Sequence, residues 1–350
     1  MRHQRLFITA AVTAFIAGAS FAQSTASEPV QSSAAKGSKI DQDLLQVQVA
    51  LDKAGFSPGP IDGRAGSSQS KALRGFQEAN GLKVTGKIDE ATKQALSSGG
   101  ATATTDVKLT ADDVGGEFTF PMPKKPEEQA KLSFLGYRNM LEKLAERYHT
   151  TPETIVALNG ADKLIGVGQT LTLPNVAASS TDYSGALNKQ EPLLAELNVD
   201  GNQPKGDYVV VDKSDGTLKV YQGDFPKGSA KPSGKLVAQF PVTTGSGHDP
   251  LPLGNWKVPT FSFLPPFNYQ PDLFWDVSDD KAEHKLPPGP NGMVGVAWLD
   301  LSKEHYGIHG TPEPQTIGKT QSHGCLRMTN WDVMRLSRMM KPGFQAKFVA

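Results

Sequence analysis

The chain contains one cysteine, Cys325, and two histidines stand close to it: His323 two residues before it and His309 sixteen before it. A thiolate is a strong nucleophile, and a nearby imidazole is expected to depress the thiol pKa and to act as its base. Gly310 and Gly324 leave room for close backbone approach at both histidine segments. These residue types at this spacing predict a cysteine nucleophile paired with a histidine base.

A structural cysteine packed beside core histidines is the alternative, because free cysteine is among the most buried residue types. That alternative must also explain two histidines, two glycines and Arg327 around a single thiol. A tight turn at Gly324-Cys325 could in addition aim backbone N–H groups at a developing oxyanion. We therefore favour a catalytic role for Cys325.

The same stretch resembles the signature of the L,D-transpeptidases, the YkuD-type catalytic domain. The matching residues are His309-Gly310-Thr311 and Ser322-His323-Gly324-Cys325-Leu326-Arg327. The resemblance implies a peptidoglycan L,D-transpeptidase whose cysteine cleaves the bond between the third residue and D-Ala of a tetrapeptide stem. The acyl group would then pass to an amine, forming a 3-3 cross-link or anchoring a protein.

The resemblance also implies a role for each residue of the site. Cys325 would be the nucleophile and His309 the base and acid, with Gly310 orienting His309 through its carbonyl. His323 would shape the site, and the N–H of Gly324 would donate to the oxyanion. The residues expected to bind substrate are Arg327, Tyr306 and Ser322.

No cofactor is expected for this chemistry. The sequence shows no HExxH or H-x-H cluster near His309, so we predict no metal site and disfavour a metallopeptidase. Lys and Arg together number 36, as do Asp and Glu, and this balance gives no basic excess that would indicate a nucleic-acid partner. Peptidoglycan stem peptides and glycan are the expected partners, with a wall-anchored protein acceptor as a further option.

Residues 1–22 are predicted to be a signal peptide. Arg2 and Arg5 precede an apolar run from Leu6 to Ala19, and Ser20-Phe21-Ala22 supplies small residues for cleavage. The run is shorter than the roughly 20 residues of a membrane span, so we expect no stable span after cleavage. The expected location is outside the cytoplasm, in the periplasm and associated with the cell wall. An unpaired cysteine kept in an oxidising compartment favours chemistry over packing.

After a linker over residues 23–39, residues 40–97 predict a small three-helix domain. The first helix carries an apolar stripe of Leu44, Val47, Leu51 and Ala54, and Asp89 can cap the third. This unit resembles a peptidoglycan-binding domain. The resemblance is carried by Leu45-Gln46, Gly55-Phe56, Gly59-Pro60-Ile61-Asp62-Gly63, Phe76-Gln77, Asn80-Gly81-Leu82 and Val84-Thr85-Gly86.

Residues 98–131 are predicted to be a linker, and residues 132–176 a small α/β module. Pro152 begins the second of its two helices, and Thr170 to Pro174 alternates as a strand. The module resembles a LysM glycan-binding module, although its opening strand departs from the pattern, with no clear GD-type turn before the first helix. A helical spacer between two domains is the alternative. Residues 177–204 are predicted to be a second linker, with one short helix around 192–197.

Strand patterns dominate residues 205–350, the predicted L,D-transpeptidase catalytic domain. The expected fold is mainly β, a β-sandwich or barrel-like sheet with a C-terminal helix from Thr329 to about Met340. The helix should turn Val333 and Leu336 inward, and a last strand over 344–349 should close the sheet. By the resemblance, the aromatic stretch 256–290 supplies a flap over the site; a lid that only packs on the sheet is the alternative.

Two other functions remain open on sequence alone. The same site could use water as the acceptor and act as an L,D-carboxypeptidase, or as an amidase that releases wall-bound protein. The chain could also be a non-catalytic cell-wall-binding scaffold, although the intact Cys325 and His309 pair argues against that reading.

Overall fold

The computed structural model of the protein describes residues 40–100, 102–228, 231–278 and 281–350. The predicted signal peptide 1–22 and the linker 23–39 lie outside these residues. Within the described ranges, no helix has both the length and the apolar character that a membrane crossing requires.

The N-terminal domain is a bundle of three helices: α1 (Gln42–Lys53), α2 (Ser67–Ala79) and α3 (Glu90–Ser97). The Asp89 side chain accepts a hydrogen bond from the N–H of Thr92, so α3 begins where the capping residue predicted. The buried face of α1 differs from the predicted stripe, because Leu45 and Val49 are fully buried and Ala54 is exposed. Helix α1 is covered on two sides: Leu45 and Val49 pack on the middle module, while Leu51 packs within the bundle.

The middle module contains a strand that the sequence did not reveal. Strand β1 (Thr104–Lys108) pairs antiparallel with β2 (Thr170–Pro174), and the helices between them are α4 (Ala111–Val114), α5 (Pro126–Gln129), α6 (Met140–Arg147) and α7 (Pro152–Asn159). Residues 98–131, predicted to be a linker, therefore hold a strand and two short helices. The strand was missed because TTDVK has no apolar alternation and its partner lies far along the chain. The LysM-like resemblance stays a prediction.

A five-stranded sheet forms one layer of the C-terminal domain. Its strands, in chain order, are β3 (Tyr208–Asp212), β4 (Thr217–Gln222), β5 (Lys235–Pro241), β6 (Gly254–Val258) and β13 (Phe344–Val349), and in space they run β5-β4-β3-β13-β6. The last strand was expected to close the sheet but lies inside it, parallel to β3 and antiparallel to β6. Strand β13 is therefore hydrogen-bonded along both of its edges, to β3 on one side and to β6 on the other.

The second layer is a four-stranded sheet that carries the candidate site. It contains β7 (Phe261–Phe263), β10 (Ala297–Asp300), β11 (Gly307–His309) and β12 (Leu326–Arg327), in the spatial order β12-β11-β10-β7. Between β7 and β10 lies the predicted flap, a hairpin of β8 (Phe267–Tyr269) and β9 (His284–Leu286) with a 3-10 turn over Pro271–Leu273. A second 3-10 turn covers Pro314–Thr316. The mainly β architecture is thus the predicted one.

Two helices complete the core of this domain. Helix α8 (Gln190–Glu196) contributes Leu193 and Leu194 to the main apolar cluster, so residues 177–204 pack against the catalytic domain and do not serve as a free linker. Helix α9 (Asn330–Met339) was expected to bury one face, but all of its residues except Arg338 are buried. The N-terminal domain and the middle module cover its second face. The periodicity of a single helix does not reveal contacts made by other modules.

A buried polar cluster joins the N-terminal domain, the middle module and α9. Arg335 Nη1 lies 2.9 Å from Asp52 Oδ1, and His149 Nδ1 lies 3.1 Å from Asp52 Oδ2. Ser57 donates to Asp332 Oδ2 at 2.7 Å. Burial alone would raise the pKa of Asp52, but Arg335 and His149 outweigh it and lower that pKa to about 2. The three segments therefore share charged contacts that are removed from solvent.

Candidate active site

Strands β11 and β12 bring the predicted cysteine and histidine to one surface. Their parallel register places His309 opposite Arg327, and Cys325 directly precedes β12. Because side chains alternate along a strand, Cys325 and Arg327 share a face, and the register gives His309 the same face. All three side chains line an open cleft with a volume of about 640 Å³. Gly307, at the start of β11, is close enough for its N–H to bond the Cys325 sulfur.

The His309 ring is hydrogen-bonded to a backbone carbonyl. Nδ1 lies 2.7 Å from the oxygen of Gly310, and a carbonyl can only accept, so Nδ1 carries the proton and Nε2 is the basic nitrogen. The ring also stacks on Trp298 with centroids 5.4 Å apart. Burial lowers the pKa of His309 to about 3, and the positive charge of Arg327 acts in the same direction. The imidazole is therefore neutral at neutral pH.

The Cys325 thiol is also neutral at rest. Burial raises its pKa to about 11, while the Gly307 N–H and the Arg327 charge pull that pKa down. The sequence-based expectation of a thiol pKa depressed by histidine is wrong for this resting site, because His309 is buried and uncharged. The thiol can still react if His309 takes its proton as the sulfur attacks, as in general-base activation.

The turn that presents Cys325 requires glycine at position 324. Gly324 has φ +97°, and a Cβ there would lie 2.6 Å from the Tyr306 ring. Tyr306 thus packs directly over the turn, with Lys303 Nζ 4.9 Å from its ring centroid. The Ser322 hydroxyl donates to the carbonyl of Cys325 at 2.6 Å, and Ser322 is buried. The structure places Ser322 as a brace within the turn, and its contact with substrate stays a prediction.

His323 is held by the flap. Its Nε2 lies 2.8 Å from Asp276 Oδ1, and its ring meets the edge of Phe274 with centroids 5.0 Å apart. Beside it, Trp275 stacks on His248 with centroids 4.3 Å apart. The flap therefore reaches the Ser322–Cys325 turn and forms one wall of the cleft.

Arg327 is one of two permanently cationic side chains among the described residues that line the cleft, and Lys303 is the other. None of the ion pairs in the described residues uses its guanidinium. Burial lowers the pKa of Arg327, while Cys325 and Glu313 act to raise it. A planar guanidinium in this position has its donors available for a carboxylate. Across the described ranges, no three His, Cys, Asp or Glu residues are grouped in a way that could hold a metal ion.

Two family models match the chain in its two predicted domains. The YkuD model, described as L,D-transpeptidase catalytic domain, matches residues 206–347. The C-terminal domain therefore matches the model of this catalytic domain over nearly its whole length. The model described as "Putative peptidoglycan binding domain" matches residues 41–96, which agrees with the second resemblance.

Relatives of the L,D-transpeptidase domain are similar to the chain at modest identity. "Putative L,D-transpeptidase YkuD" of Bacillus licheniformis is 27% identical over 207 residues, which cover 58% of this chain and 89% of the relative. "Probable L,D-transpeptidase YbiS" of Escherichia coli K12 is 23% identical over 211 residues, covering 53% of this chain and 65% of the relative.

Solved structures of the same description are also similar. An L,D-transpeptidase from Mycobacterium smegmatis has a TM-score of 0.31 and 17% identity, covering 41% of this chain and 58% of that chain. One from Xylanimonas cellulosilytica has a TM-score of 0.35 and 14% identity, covering 88% of this chain and 93% of that chain. The chain thus spans less than two thirds of the mycobacterial protein's length.

Several residues that shape the L,D-transpeptidase site were not found from the sequence. Trp298 stacks on His309, Asp276 holds His323, and the fully buried Asn330 donates to Glu146 of α6. Each of these contacts joins segments that are distant in the chain. Thr329 caps α9 by accepting a hydrogen bond from the N–H of Asp332, and the Asp332 carboxylate accepts one from Ser57.

Proposed function

We propose that this protein is an exported peptidoglycan L,D-transpeptidase with Cys325 as its nucleophile. The observation that carries the proposal is the placement of Cys325, His309 and Arg327 on one face of β11 and β12, beneath the flap, in a domain that matches the YkuD model. The substrate is a tetrapeptide stem, and the bond cleaved is the one between its third residue and D-Ala.

In the first half-reaction the Cys325 sulfur attacks the carbonyl carbon of the third residue. His309 Nε2 takes the thiol proton during the attack, because both partners start neutral. The N–H groups of Gly324 and Cys325 donate to the oxyanion. The imidazolium then protonates the leaving amine, D-Ala departs, and a thioester remains. Because burial lowers the pKa of His309, the imidazolium readily returns the proton.

In the second half-reaction an acceptor amine enters the position vacated by D-Ala. His309 removes its proton as it attacks the thioester, and then returns that proton to the departing Cys325 sulfur. The aromatic flap, which lines the cleft with Phe267 and Phe274, lowers access of water to the thioester. Arg327 is the proposed partner of a substrate carboxylate, with Tyr306 beside it.

The rest of the chain fits an enzyme that works on the cell wall. The N-terminal domain, whose family model is a peptidoglycan-binding one, is the proposed anchor on that substrate. Export rests on the sequence of residues 1–22, and the periplasm on the order of the domains. We propose no cofactor.

The deciding experiment incubates residues 23–350 with a disaccharide-tetrapeptide and follows the products by mass spectrometry. Cys325→Ser is the matched control, because it changes one atom of the nucleophile. A cross-linked dimer that has lost D-Ala, formed by the cysteine protein alone, is expected. A tripeptide monomer without dimer would instead establish the hydrolase. If neither a product nor an acyl adduct forms, the enzyme is refuted and the scaffold reading is left.

A further inference from the structure

Asn330 supports the backbone that holds His309. It is the first residue of α9, five residues after Cys325, and is fully buried. Its Oδ1 accepts a hydrogen bond from the N–H of Val296 at 3.1 Å. The same oxygen lies against Gly310, where an added Cβ would be only 2.2 Å from it. Asn330 therefore fixes the segment whose carbonyl, that of Gly310, holds His309 Nδ1.

The other end of the Asn330 amide is held from a different module. Its Nδ2 donates to Glu146 Oε1 at 3.0 Å and to Oε2 at 2.9 Å, and also to the carbonyl of Pro290 at 3.2 Å. Glu146 lies on α6 of the middle module, 184 residues earlier in the chain. With acceptors on the Nδ2 side and a donor on the Oδ1 side, only one orientation of the amide satisfies all of its partners.

Glu146 is buried among groups that do not neutralise it. Burial raises its pKa to about 8, and the carboxylates of Glu142 and Glu196 add to the rise, while hydrogen bonds from Asn330 and Tyr137 oppose it. No ion pair among the described residues includes Glu146. A buried carboxyl without a cation costs stability, so its retention next to Asn330 calls for a role other than packing.

We propose that Glu146 and Asn330 are positioning residues for His309. The middle module, through Glu146, orients the Asn330 amide; the amide holds Val296 and Gly310; and the Gly310 carbonyl fixes the tautomer and direction of the His309 ring. The proposal rests on the assignment of His309 as the base of Cys325. It gives the middle module a part in the chemistry that is independent of any glycan binding.

Two readouts on residues 23–350 test this without peptidoglycan. The first is the rate at which iodoacetamide alkylates Cys325 near neutral pH, where a neutral thiol depends on its base. The second is the low-field proton resonance of His309 Nδ1–H, which reports its bond to the Gly310 carbonyl. Glu146→Gln keeps an acceptor for Asn330, whereas Glu146→Ala removes it. Asp52→Ala is the matched control, because it also opens a buried module contact but does not touch Asn330.

We expect Glu146→Ala to slow alkylation by about tenfold and to shift or broaden the imidazole resonance, since small displacements of a base are costly. Glu146→Gln should stay within about twofold of the unmodified protein. Asp52→Ala should lower the melting temperature and leave both readouts unchanged. Equal slowing by Glu146→Ala and Asp52→Ala, or an unchanged resonance in Glu146→Ala, would overturn the proposal.

A donor swap approaches the same contact from the other side and does not require Glu146→Ala to fold. Asn330→Asp keeps the acceptor for Val296 but replaces the donor to Glu146 with an oxygen. We expect slow alkylation in that variant and recovery in the double variant Glu146→Gln with Asn330→Asp, where the new glutamine donates to the new aspartate. No recovery would count against the proposal. If His309→Ala alkylates as fast as the unmodified protein, the base assignment itself fails, and that outcome is distinct from either result above.

Discussion

Arg335→Leu tests whether the three modules pack as the structure has them. Arg335 and Asp52 are both buried, and the guanidinium also donates to the Asp52 backbone carbonyl. The substitution leaves the Asp52 carboxylate buried with His149 as its remaining partner. Removing one member of a buried ion pair typically costs about 3–5 kcal/mol. We expect a loss of that size in the free energy of unfolding at neutral pH.

The pH dependence of that loss follows from the pKa of Asp52. In the unmodified protein that pKa is lowered from 3.8 to about 2, which corresponds to about 2.4 kcal/mol of stability. This contribution is present above pH 3.8 and is lost as the pH falls towards 2. Without Arg335, burial dominates and raises the pKa. The contribution of Asp52 to the stability of Arg335→Leu should then increase as the pH falls from neutral, whereas in the unmodified protein this contribution only decreases, below about pH 3.8.

The assay is urea unfolding followed by tryptophan fluorescence, because Trp331 stacks on His149 beside the pair. Arg338→Leu on the same helix is the matched control: its guanidinium donates to backbone carbonyls near the surface, and we expect a loss below about 1 kcal/mol. In the double variant Asp52→Asn with Arg335→Leu the loss should be well below the sum of the single losses. A loss in Arg335→Leu no larger than in Arg338→Leu would refute the buried module contact.

Three further predictions concern the site and its support. Burial raises the pKa of Glu146 from 4.5 to about 8, so the stability of the unmodified protein should fall as the pH rises between these values. Urea unfolding should therefore show Glu146→Gln more stable than the unmodified protein by up to ~5 kcal/mol at pH 8, with little difference at pH 4.5. A gain independent of pH would contradict this. Arg327→Gln should raise the pKa of Cys325 above about 11 and slow its alkylation, whereas Arg327→Lys should do neither. Equal alkylation rates in the two variants would exclude an effect of the Arg327 charge on the thiol. Gly324→Ala should cost at least about 1–2 kcal/mol by thermal unfolding, because φ is +97° and Tyr306 blocks the Cβ, and part of the loss should return with Tyr306→Ala; a fully stable Gly324→Ala would show that the turn differs.

Local signals in the sequence predicted the parts of this fold that local interactions determine. Asp89 caps α3, and Pro152 is the first residue of α7. Both positions were predicted from the preference of aspartate for helix caps and of proline for the first helical position. The spacing of His309 and Cys325 led to the cleft, because His309 ends β11 and Cys325 directly precedes β12, and these two short strands pair in parallel. Their shared face follows from the register of β11 and β12, and their ionisation follows from burial; the spacing in the sequence records neither.

Contacts between modules account for what the sequence did not predict. The apolar stripe of α1 assumed solvent on one side, yet Leu45 and Val49 meet the middle module. Strand β1 lacks a pattern of its own and forms only against β2. The contact between Glu146 and Asn330 joins polar residues with no motif, 184 positions apart. Such pairings depend on how the modules dock, and one-dimensional periodicity carries no record of docking.

The central position of β13 determines when the five-stranded sheet of the C-terminal domain can form during synthesis. Strands β3 and β6 are each bonded to residues 344–349 and not to one another, so the sheet has a gap until this segment leaves the ribosome. Until then β3 and β6 each have an unpaired edge where β13 later binds, and unpaired strand edges favour aggregation. A ribosome-stalled chain lacking these residues should accordingly remain protease-sensitive over the whole catalytic domain.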